Sequence, residues 1–163
     1  MLKQKYRISY LTVHTESHSH EKLVAKSRQY MTQDKDAPYS FVFFVIDVDE
    51  TKKHQFEQAF SQARNACTRQ TTYAFVVSNE CFETWQLAHF ENIRTRDIPR
   101  ANLPGMLIQL GAVLPAKPKH LADSFPVERY EQAAKNCNHA DLNELGPTSS
   151  TAMPSLLKAL NIK

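Results

Sequence analysis

The chain is 163 residues long, 42% hydrophobic and 23% charged, with a formal net charge of +3 and a pI near 8.7. That length is enough to bury a proper core within one domain, and the composition is ordinary for a globular protein. The mild positive balance permits a nucleic-acid or phosphate-bearing partner without demanding one.

Three cysteines, at positions 67, 81 and 137, fit neither a disulfide framework nor a Cys-x-x-Cys metal knuckle and read as reduced thiols. The longest apolar run, Phe41 to Ile46, is too short to cross a bilayer, and no apolar stretch follows the charged segment Met1 to Arg7. A cytoplasmic, unexported protein is therefore expected. With three glycines against eight prolines, the chain contains no GxGxxG or P-loop spacing, which sets aside the two commonest phosphate-cradling loops.

In chain order, residues 6 to 13 alternate bulky apolar and polar side chains, the period of a first strand. The polar stretch Thr15 to His20 leads into Glu21 to Met31, where Leu23, Val24, Ser27 and Met31 recur at helical spacing. After Pro38 and Tyr39, the apolar run 40 to 46 predicts a strand buried on both faces, at the centre of a sheet. Asp47, Val48, Asp49 and Glu50 end it. A helix follows from Thr51, with Phe56, Ala59, Phe60, Ala63 and Cys67 on one face.

Residues 73 to 77 predict a third strand, and Cys81 to Phe90 a helix with Phe82, Trp85 and His89 directed into the core. Three strand–helix alternations argue for right-handed βαβ units and a parallel central sheet flanked by helices. Leu103 to Leu110, Val127 to Asn136 and Met153 to Leu160 predict further helices, the last with Pro154 in its first turn and a cap within Ser149 to Ala152. The expected organisation is one α/β domain, with a core over about 6–95 and a helical C-terminal part over about 101–163.

In an open parallel sheet, ligands bind beyond the carboxyl ends of the strands. This rule selects Thr15-Glu16-Ser17, Asp47-Val48-Asp49-Glu50, and Ser78 through Glu83. Asp47 and Asp49, two residues apart as a strand ends, would point to one side and form a hard-oxygen site suited to Mg²⁺. The same acids could instead cap the following helix. Glu16 is the candidate third carboxylate, and Glu83 a candidate ligand or general base. His14, His18 and His20 crowd the first loop but lack a metal-binding helical spacing. Lys52 and Lys53, with Ser78 and Asn79, are candidate substrate contacts, and Cys81 lacks an evident base.

The segment Val77 to Phe90, VSNECFETWQLAHF, resembles the SNPCFExWLLxHF signature of RloB-like proteins, and Phe43 to Glu50 is similar to that family's strand ending in DxDE. Pro147 to Leu157 is similar to its closing helix start. The resemblance implies a Toprim-type, Rossmann-like fold and Mg²⁺- or Mn²⁺-dependent cleavage of nucleic-acid phosphodiesters, RNA or DNA. It also implies a setting among restriction-associated or phage-defence genes, with a partner ATPase or another defence-system protein. It would assign metal binding to Asp47, Asp49 and Glu16, and acid–base work to Glu16 and Glu83. Two departures stand out: His14-Thr15-Glu16-Ser17 replaces the family's Glu-Gly pair, and Glu80 replaces a proline. A non-catalytic module that binds RNA, DNA or a protein is the alternative. A nucleotide-processing phosphotransferase is a third reading, supported only by the acidic strand end.

Overall fold

A computed structural model describes residues 11–35, 38–48 and 53–161. Helix α1 (His20–Gln33) leads to strand β1 (Phe41–Asp47), helix α2 (Lys53–Ala66), strand β2 (Thr72–Asn79) and helix α3 (Phe82–Ala88). Helix α4 (Leu103–Gln109) follows a 3₁₀ turn at Arg100–Asn102 and precedes an antiparallel hairpin, β3 (Val113–Leu114) and β4 (Lys117–Leu121). Helix α5 (Tyr130–Asn136), short strands β5 (Asn138–His139) and β6 (Ser150–Thr151), and helix α6 (Met153–Ala159) complete the chain.

The main sheet has the order β1-β2-β6-β5. β1 and β2 are parallel from Phe41 opposite Thr72 to Asp47 opposite Ser78, with α2 as the crossover. β6 runs antiparallel to β2, and β5 parallel to β6. The sheet is thus mostly parallel and flanked by helices, as the alternation of elements predicts. Asp47, Ser78, Thr151 and His139 fall on one row across all four strands.

Side-chain alternation along β2 divides the core. Tyr73, Phe75 and Val77 pack with Phe44, Phe56 and Phe60 beneath α1 and α2. Val76 joins Trp85, Leu87, Leu107, Met153 and Leu157 on the other face. Phe56, Ala59, Phe60 and Ala63 are buried as the helical period requires, but α2 ends at Ala66, leaving Cys67 outside it and exposed.

Among the described residues, the centre of the sheet differs from expectation. β2, with Tyr73 to Ser78 all buried, is the strand covered on both faces. β1 lies at the end of the described sheet, with Phe41 and Val45 about half exposed. A short apolar run signals a strand without saying which neighbour lies beyond it.

The first predicted strand falls largely outside the described residues, and Leu11 to Val13, which are described, belong to no strand. β5 and β6 escape periodicity because two residues carry no period. They are fixed by tertiary bonds instead: the Ala152 N–H donates to Val77 O at 3.0 Å. Asn143, with φ +59°, holds β2 through the Phe75 N–H at 2.8 Å.

Candidate functional site

Asp47 closes β1 opposite Ser78, the point at which the chain leaves β2 for α3. The Val48 N–H donates to Ser78 O at 3.2 Å and Glu80 O at 3.1 Å, fixing the exit from β1 against this turn. Asp47 thus lies near the start of α3, within electrostatic reach of the Phe82 N–H and of the Glu83 carboxylate in its first turn. The acid at the strand end lies toward the start of α3, across the sheet edge.

Burial, and then the Glu83 charge, hold the Asp47 carboxyl above the ordinary carboxylate range; the Phe82 N–H and Arg100 pull the other way. The Cys81 thiol is pushed up to about 12 by burial and by the neighbouring Glu83 and Asp47 carboxylates. It stays protonated at neutral pH and is no nucleophile. The edge therefore gathers two carboxylates, a neutral thiol and one guanidinium. Sequence reasoning passed over Arg100, which only the path of the loop after α3 brings to Asp47.

A family model for RloB-like proteins matches residues 1–160. The chain belongs to the RloB-like family. Neither the curated proteins nor the solved structures contain a match to it. The two segments that carry the resemblance, the end of β1 and the β2–α3 turn, are the ones that meet at Asp47 and Glu83 in this RloB-like chain.

The other predicted site residues are distributed differently. Asp49, Glu50 and Lys52 lie outside the described residues. Ser78 is completely buried and shares a hydrogen bond of 2.9 Å with the Thr151 hydroxyl. Asn79 donates to Gly146 O at 2.9 Å. These two tie β2 to the C-terminal segment instead of presenting free groups to a substrate. Lys53 is exposed, with Glu57 one helical turn away at 4.0 Å.

Glu16 is not brought to Asp47. Its carboxylate accepts the Tyr30 hydroxyl and pairs with His18 Nδ1 at 2.7 Å, and these contacts, the Tyr30 bond foremost, hold it below its ordinary value. The first-loop histidines also have separate partners. His14 stacks on Tyr30 at 4.1 Å, and His20 lies against Phe56 at 5.1 Å. Among the described residues, no three His, Cys, Asp or Glu side chains form a group able to hold one metal ion.

On the far side of α3, Trp85 and His89 are buried as expected, with His89 Nδ1 bonded to Trp85 O at 2.9 Å. They border an apolar cavity of about 60 Å³ that also meets Phe82, Phe125 and Tyr130. Benzene occupies an engineered cavity of ~150 Å³, so this one is a packing void and no ring-sized ligand pocket. No described helix is long and apolar enough to cross a membrane.

Proposed function

We propose that this RloB-like chain is a metal-dependent phosphodiester hydrolase acting on nucleic acid, with a Toprim-type arrangement of acids and a role in restriction-associated or phage-defence systems. The observation that carries it is the meeting of Asp47 and Glu83 at the carboxyl edge of the parallel β1–β2 pair. Two carboxylates at one sheet edge, the Asp47 carboxyl held above its ordinary range by burial and then by the Glu83 charge, would favour a divalent cation that relieves their repulsion.

Their oxygen donors fit Mg²⁺ or Mn²⁺, which usually takes one or two carboxylates and keeps several waters. Asp47 and Glu83 would hold the ion, joined in this proposal by Asp49. When bound, such an ion supplies positive charge against the developing charge of the phosphoryl oxygens. Asp47 would offer its oxygens to the ion at the end of β1. Glu83 accepts the proton of the attacking water. Arg100 attracts the phosphate to the same edge.

One observation favours a second reading, a non-catalytic module that binds RNA, DNA or a protein: Glu16, the candidate third acid, is engaged by Tyr30 and His18. Cleavage of labelled DNA and of total RNA with Mg²⁺ or Mn²⁺ tests the choice. The hydrolase predicts cleavage by wild type and its loss in Asp47→Ala. The absence of cleavage by wild type, together with no calorimetric Mg²⁺ or Mn²⁺ binding, leaves the binding module.

A further inference from the structure

Helix α4 closes at Gly111, whose φ of +65° lets the chain turn back. The Gly111 N–H donates to Ile108 O at 3.0 Å, and the Ala112 N–H to Leu107 O at 2.9 Å. From there the chain enters the β3–β4 hairpin, whose foot is built into the core. Ala112 and Val113 are buried, Leu121 packs against the same cluster, and the Ala122 N–H donates to Ala112 O at 3.0 Å. Beyond that foot, every residue from Leu114 to His120 is exposed. Leu114 lies opposite Lys117 and Val113 opposite Leu121, so Pro118, Lys119 and His120 bulge out of the ladder with no residue across from them in the hairpin.

The projection is basic and partly apolar. No acidic residue occurs between Asp97 and Asp123, and among the described residues Lys117 and Lys119 have no carboxylate partner. Leu110, at the end of α4, is 41% exposed, and Leu114, beside the Pro115–Ala116 turn, is 43% exposed. Leu121 and Phe82, the first residue of α3, line one cavity, so the ribbon stands beside the helix whose first turn carries Glu83. Paired strands lie ~4.8 Å apart, and a two-stranded ribbon enters the ~12 Å major groove of B-DNA. The deep, narrow major groove of A-form RNA does not admit it. An anionic membrane is held by clusters of roughly 4–8 basic residues, more than this ribbon carries.

We infer that the β3–β4 hairpin is a binding ribbon for duplex DNA, in which Lys117 and Lys119 take phosphates along the groove walls and Leu114 enters the groove with the turn. The lysines supply the salt-dependent part of the affinity, and the leucine an apolar contact to base edges such as the thymine methyl. The inference deepens the hydrolase reading by naming duplex DNA as its substrate class, and it rests on that reading for cleavage alone.

The test is fluorescence anisotropy with fluorescein-labelled duplex DNA, duplex RNA of the same sequence and single-stranded DNA, in EDTA, over a salt series. Wild type is expected to bind duplex DNA about tenfold more tightly than duplex RNA. Lys117→Gln/Lys119→Gln should weaken duplex DNA about tenfold and reduce the slope of log affinity against log salt by about 1.8, two contacts at ~0.9 each. Lys117→Arg/Lys119→Arg keeps the charges and stays within about threefold of wild type. Leu114→Ser should weaken binding about threefold with the slope unchanged. Lys22→Gln/Arg28→Gln, on exposed positions of α1, leaves affinity and slope unchanged.

A Lys117→Gln/Lys119→Gln protein with wild-type affinity and slope overturns the ribbon, as does a wild type that binds duplex RNA as well as duplex DNA or binds neither. Sedimentation with phosphatidylserine vesicles, if it replaces DNA binding and depends on the same lysines, overturns it in favour of a lipid surface. A wild type that binds duplex DNA through these lysines but cleaves nothing with Mg²⁺ or Mn²⁺ overturns the hydrolase and keeps the ribbon. Cleavage that is unaffected by Lys117→Gln/Lys119→Gln keeps the hydrolase and overturns the ribbon. Circular dichroism melts on each variant separate lost binding from lost folding.

Discussion

Gly146 sits where the loop before β6 closes on the sheet, and Gly146→Ala is expected to be costly. A methyl group there would lie 2.5 Å from Ser150 Oγ, 2.7 Å from Ala140 Cβ and 3.1 Å from Ser150 Cβ. Ordinary carbon contacts are about 3.5–4.0 Å. Gly146 does not have the positive φ that Gly111 has, so the cost comes from space and not from backbone strain. Ala140 and Ser150 are 2% and 1% exposed, and their Cβ atoms cannot retreat without moving backbone. Overpacking of this kind costs about 1–3 kcal/mol. The displacement also reaches the candidate site, because Gly146 O accepts the Asn79 side chain at the end of β2.

Ser150 supplies the internal control. Its hydroxyl is buried and makes no hydrogen bond, so Ser150→Ala alone should be neutral or stabilising by up to about 1 kcal/mol. It also removes the closest clash, so in the double variant Gly146→Ala should cost about 0.5–1 kcal/mol less than in wild type. The Ala140 contact remains and prevents full recovery. Urea unfolding of the four proteins, compared by midpoint at constant m-value, measures this cycle. A Gly146→Ala protein as stable as wild type, or costs that simply add, would refute the packing argument.

Two further predictions concern the titratable groups. Because burial and Glu83 raise the Asp47 carboxyl, the folded chain binds this proton more tightly than the unfolded chain. Its ionised form therefore costs stability at neutral pH, and that cost fades as pH falls from the raised value towards the ordinary 3.8. Asp47→Asn should accordingly be more stable than wild type at pH 7 without divalent metal, with the gap narrowing on acidification. Parallel stability–pH curves for the two proteins would refute the like-charge account. For the cysteines, a chromogenic disulfide reagent at pH 8 should label exposed Cys67 promptly. Cys81 and Cys137, buried and pushed up to about 12 and about 11, should label only on unfolding. Prompt labelling of more than one thiol in the native protein contradicts that burial.

Elements with enough residues to show a period were legible from sequence. The apolar spacing of Phe56, Ala59, Phe60 and Ala63 specified α2 and its buried face, and the continuous run 73–77 specified β2. The acids at 47 and 83 were legible as candidates because strand ends and helix starts are local properties. What the periodicity could not specify was adjacency. It placed β1 at the centre where the described sheet has β2, and it offered Ser78 to a substrate where Thr151, 73 residues away in sequence, takes its hydroxyl. It also proposed Glu16 as a partner for Asp47, while the fold gave that carboxylate to Tyr30 and His18.

The strands at 138–139 and 150–151 and the approach of Arg100 to Asp47 were decided by tertiary structure alone. Side-chain period encodes which face of an element is buried. Which distant backbone groups and charges meet there depends on hydrogen bonds and packing between segments, and those interactions exist only once the chain has closed on itself.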